Sequence, residues 1–152
     1  MMDKLALTSQ DQHFLQQFEQ LSLPAEQFNH LGHLRIAWIY LLINQQSTHA
    51  DTKAIKQVCA GIKAYAESLG AAMKFHKTIT TALVIITAKR MAALMQTLNK
   101  IELNCDDWPL FVEKNTDLVN DAIGVLKAYY SEPHLYSDEA KLAWCEPDIK
   151  EI

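Results

Sequence analysis

The sequence predicts an all-α protein, a single-domain bundle of five to six helices over residues 1–152. Three observations predict it. Only 4 glycines and 4 prolines punctuate the chain, so few tight turns are encoded. Apolar residues recur at i, i+3, i+4 and i+7 in several windows of helix length, and no stretch sustains the apolar–polar alternation of a half-buried strand. The composition, 49% hydrophobic and 21% charged, is that of a globular domain with a sizeable core.

Each element has its own local signal. Ser9 predicts the cap of a first helix, with Phe14, Phe18 and Leu21 on one stripe and Pro24 ending it. A second helix runs from about His30 to Ile43 and stops in the polar 44–48 loop. Asp51 or Thr52 caps a third, carrying Ile55, Val58, Ile62 and Tyr65 at helical spacing, and Gly70 suits the left-handed position after it. The fourth spans roughly Phe75 to Leu98, with Ile79, Leu83, Met91 and Leu94 sharing a face. Asn104 to Pro109 starts a fifth, a capping aspartate followed by proline in the first turn; its pattern continues to Tyr130 with a break near Asn115-Thr116. Ser137 caps a short last helix, where Asp138 and Glu139 favour the positive end of the dipole.

Charge and composition exclude some roles. The net charge is −4, and no basic cluster exceeds Lys89-Arg90, which argues against a nucleic-acid partner. Met1 to Leu7 holds no apolar leader core, and the run Ile79 to Ala88 is short of the roughly 20 residues of a membrane span, so no membrane is expected. Cys59, Cys105 and Cys145 are odd in number and widely spaced, which predicts reduced thiols and a cytoplasmic location. No phosphate-binding glycine loop, nucleophile elbow or His-Glu-x-x-His helix is present.

The candidate site lies where helix ends meet. In an up–down bundle the second and fourth helices begin at the same end, bringing His30 and His33 towards His76, with Tyr129, Tyr130 and His134 arriving there from the fifth helix. At 100° per residue His30 and His33 lie about 60° apart, on the stripe of Leu34, Ala37 and Leu41; His76 shares a stripe with Ile79, Thr80, Leu83 and Thr87. Three imidazoles so placed match the ligand set of a divalent metal such as zinc with one open position. The same convergence also suits an anion or small-molecule pocket using Arg35 and Lys74, or a purely structural network of hydrogen bonds.

The residues in question fall in three blocks: Phe28 to Trp38; Lys74-Phe75-His76-Lys77-Thr78-Ile79-Thr80; and Tyr130-Ser131 with Leu135, Ser137 and Trp144-Cys145-Glu146-Pro147-Asp148. In this order they resemble an uncharacterised family of small bacterial proteins, over nearly the whole chain. The resemblance implies no activity. Members of that family often carry Glu after the third histidine, where this chain has Lys77, so no carboxylate ligand is available at that position.

Two classes of function remain open on the sequence. As an enzyme, the chain would hold a metal on His30, His33 and His76 that activates water or polarises a substrate oxygen, with Tyr130 as acid or hydrogen-bond donor and Arg35 as anion partner. As a non-catalytic interaction module, the same residues would be structural, and the all-round apolarity of the second and fourth helices, with Trp38 and Tyr40, would serve a homodimer interface.

Overall fold

The computed structural model describes residues 7–152; Met1 to Ala6, most of the N-terminal segment expected to lack a leader core, lie outside the described residues. The described residues are all-helical, with no strand among them. The elements are α1 (Ser9–Glu19), α2 (His30–Asn44), α3 (Ala50–Ser68), α4 (Lys77–Leu98), α5 (Trp108–Lys114), α6 (Thr116–Asn120), α7 (Ala122–Leu126), α8 (Glu132–Leu135) and α9 (Asp138–Leu142). The first five have seven or more residues each; the rest are single turns.

Local chemistry sets the boundaries, and several differ from the sequence reading. Thr8 rather than Ser9 caps α1, accepting the Asp11 N–H at 3.0 Å. The helix ends at Glu19, well before Pro24, because Leu21 turns into the left-handed region (φ 62°). His49 takes the same conformation (φ 58°) and starts α3 just ahead of Asp51. Gly70 (φ 72°) closes α3 as expected, its N–H bonded to Glu67 O and the Ala71 N–H to Ala66 O. The fifth predicted helix breaks twice, not once. Asn115 turns its amide back onto Phe111 O, and Asp121 leaves helical geometry (φ −152°) to cap the Gly124 N–H. Beyond Leu126 a turn leads to Ser131, which caps the unpredicted α8. Ser137 caps α9 as expected.

The core is a triangle of α2, α3 and α4, each in contact with the other two. α1 leans on α2 and α3, α6 and α7 lie along α2 and α4, and α9 packs on α4. α2 is central: Ile36 to Leu42 are all buried in succession. The apolar run of α2, Trp38 and Tyr40 included, is therefore packed inside the chain. Trp38, fully buried, lies against Trp108 (5.4 Å between rings) and Phe111 (4.9 Å).

α4, with 22 residues, is the one helix among the described residues long and apolar enough to cross a membrane. It is longer than its Ile79–Ala88 run, and its buried Thr78, Thr81, Ala82, Val84, Ile86, Thr87, Met91 and Leu94 make it a core helix of this bundle.

Candidate functional site

The residues preceding and opening α4 look two ways. Lys74, Phe75, Ile79 and Thr80 face a cleft shared with α2, whereas His76 and Thr78 face the C-terminal segment. The convergence expected from the sequence thus resolves into two separate sites on either side of one helix start.

The cleft has a volume of about 240 Å³. Its walls are α2 (Leu34, Ala37) and α4 (Ile79, Leu83, Val84, Thr87); α3 contributes Val58 and Ile62, and Leu118, Ala122 and Ile123 close it from α6 and α7. The inner residues Val58, Val84, Leu118 and Thr87 are each at most 2% exposed. The Thr87 hydroxyl donates to Leu83 O at 2.6 Å, so the inner wall offers no free hydroxyl proton there. His30, His33 and Lys74 stand at the rim, His33 exposed as a residue but with its ring covered by Phe28. The cleft is therefore apolar within and polar at its mouth, the pattern of a site that buries a ligand's body and orients its head.

Local sequence holds the rim in place. Asn29 caps α2 by accepting the Gly32 N–H at 2.9 Å. A Cβ at Gly32 would stand 2.7 Å from Gln27 O, so glycine lets the preceding turn (Ala25–Gln27) press against the helix start. That turn brings Phe28 onto the His33 ring, stacked at 4.0 Å. His33 Nδ1 lies 2.9 Å from Asn29 O. A carbonyl only accepts, so Nδ1 carries the proton and Nε2 keeps its lone pair. Packing around the imidazole, and then His30 beside it, hold its proton affinity below the usual histidine value against the opposing pull of Asn29 O.

Of the residues assigned from sequence, the structure brings His30, His33 and Lys74 to one cavity. It does not bring His76, Arg35 or Tyr130 there. His76 is not in the helix whose phase placed it; it is the N-cap of α4 in extended geometry (φ −129°, ψ 112°). Its Nδ1 accepts the Ile79 N–H at 3.1 Å and its Nε2 donates to Leu135 O at 2.9 Å, so both ring nitrogens are occupied. Desolvation, and then Lys141, lower its proton affinity, matching the neutral form that this double role requires. Among the described residues no group of three His, Cys, Asp or Glu side chains is placed to hold a metal ion.

Arg35 points to α1. It bonds Asp11 Oδ1 through Nε (2.9 Å) and Nη2 (2.6 Å), and its guanidinium covers the Phe14 ring at 4.3 Å. Its position 140° around α2 from His30 requires the opposite face. Tyr130 is fully buried, and its hydroxyl donates to Cys145 O at 2.7 Å. Burial, and then Glu146, push its pKa up beyond the range of a working acid.

Tyr130, with Thr78 from the start of α4, belongs to a clamp on the C-terminal segment 143–149, while His76 ties the same helix start to Leu135. Thr78 Oγ1 donates to Ala143 O (2.8 Å) and accepts the Cys145 N–H (3.0 Å). Asp148 accepts from the Ser131 N–H (2.8 Å) and Oγ (2.5 Å), His134 Nε2 meets Glu146 O (2.7 Å), and the Ile149 N–H reaches Tyr129 O. The second and third sequence blocks therefore meet chiefly as a fastening. A wider depression of about 490 Å³ lies beside the fastened segment, between Ile85 and Glu146 among others, but it is shallow and open.

Comparison with protein-family models, with characterised proteins and with solved structures returns no match.

Proposed function

We propose that this protein binds a small, predominantly apolar molecule in the α2–α4 cleft, with His30, His33 and Lys74 orienting its polar end. The observation that carries this reading is the pairing of a buried apolar wall with three rim residues that the sequence pattern singles out. A volume of about 240 Å³ is below the ~300–1,000 Å³ of drug-sized sites, so the ligand is small. The test is fluorescence titration with a neutral naphthylamine dye. Saturable one-to-one binding is expected, lost in Leu83→Trp, which fills the cleft, and kept in Ile85→Trp, which alters the open depression. Binding that ignores Leu83→Trp and disappears with Ile85→Trp would place the ligand elsewhere.

A divalent metal such as zinc is the second reading, for one reason. His33 donates its Nδ1–H to a backbone carbonyl, the outer contact that metal-ligating histidines make, and His30 stands beside it at the rim. With two imidazoles and no third protein ligand among the described residues such binding is weak, and elemental analysis of untagged protein is expected to find no stoichiometric metal. The free thiols Cys59, Cys105 and Cys145 support the reading of a cytoplasmic protein.

A further inference from the structure

We propose that the ligand of this cleft is an unbranched aliphatic carboxylate of medium chain length, its chain along Leu83, Val84 and Ile123 and its carboxylate beside Lys74. This rests on the cleft being a ligand site and adds the chemistry of the ligand. The chain carries 18 acidic residues against 14 basic, yet among the described residues no aspartate or glutamate lines the cleft. Its one Lys, Arg, Asp or Glu among the described residues is Lys74, whose ammonium the Ala72–Lys74 turn places at the rim.

Two further features favour a single negative charge at that mouth. His30 opens the 15-residue helix α2, whose positive dipole end adds to the Lys74 field. Among the described residues no carboxylate stands in the lining, so none repels an anion. A dianionic phosphate is less suited, because among the described residues the lining holds no arginine fork and only one lysine. The interior selects the tail. Val58, Leu118 and Val84 are buried, and Thr87 has turned its hydroxyl proton to its own helix, so a polar body would leave its groups unpaired there. An alkyl chain leaves none.

The probes are octanoate, 1-octanol and octylammonium, titrated calorimetrically at neutral pH into the whole protein and into Lys74→Gln. Octanoate is expected to bind about fivefold tighter than octanol, an advantage of the size of one rim ion pair, and octylammonium more weakly than either. In Lys74→Gln the octanoate advantage over octanol disappears. Equal affinities for octanoate and octanol, or tighter binding of octylammonium, would overturn the carboxylate assignment and leave the cleft a ligand site. Absence of binding by all three would overturn both.

Discussion

Replacing His76 with alanine tests the division of this bundle end into a cleft and a fastening. The substitution removes the acceptor for the Ile79 N–H and the donor to Leu135 O. Losing an N-cap side chain costs about 0.5–2 kcal/mol. Leaving the carbonyl of Leu135, a fully buried residue, without its partner costs about 1–3 kcal/mol, reduced here because His76 is only half-buried and water can enter. Together the loss is about 2–3 kcal/mol, or roughly 5–10 °C in Tm for a chain of this size. Urea unfolding followed by far-ultraviolet circular dichroism reads it. His76→Asn keeps a capping acceptor and loses only the Leu135 bond, so about half of the stability returns. Two results would refute this reasoning: a loss below about 0.5 kcal/mol for alanine, or equal losses for alanine and asparagine. A metal role for His76 predicts instead that added zinc stabilises the wild type and not the variant.

Other perturbations separate the cleft from its supports. Asp11→Asn strands the Arg35 guanidinium and is expected to cost about 1–3 kcal/mol in urea unfolding, discounted for the partial exposure of Arg35, without changing octanoate affinity. Ser131→Ala removes a helix cap and the hydroxyl bond to Asp148, leaving only the backbone N–H bond to that carboxylate; hydrogen exchange is expected to speed up at Cys145 and Ile149 and to stay unchanged at Val58 and Leu42. His33 and His76 both hold protons less tightly folded than unfolded, so the unfolded chain binds more protons as pH falls past about 6.5. Stability is therefore level above that pH and falls on acidification through it, and a His33→Gln/His76→Asn variant flattens this part of the profile, measured by thermal melts at several pH values.

The helical class, and the starts of α2 and α9, were legible because local signals decide them: Asn29 caps α2 and Ser137 caps α9. The common location of His30, His33 and the start of α4 came from short loops and antiparallel neighbours. What failed was phase carried past a helix end. Counting 100° per residue back from Ile79 gives His76 an inward direction, but a cap residue has extended backbone and its side chain folds onto the helix terminus instead. Tyr130 failed likewise, since the helix assumed to carry it breaks at Asn115 and Asp121. Arg35 could have been excluded by the same count that grouped His30 with Leu34 and Ala37. Leu118 and Ile123 were invisible as cleft residues, because only the double break folds α6 back along α2 and α7 along α4. The three blocks behind the family resemblance thus hold residues of two kinds, some lining a cavity and others fastening a chain end.

The central claim, a ligand cavity between α2 and α4, is tested most directly by methyl NMR titration with 1-octanol. Saturable shifts are predicted for Ile79, Leu83 and Ile123, with Ile101 and Leu142, both exposed elsewhere, unmoved. Shifts confined to Ile55 and Ile85, beside the fastened segment, or no saturable shift at any of these methyls, would contradict it.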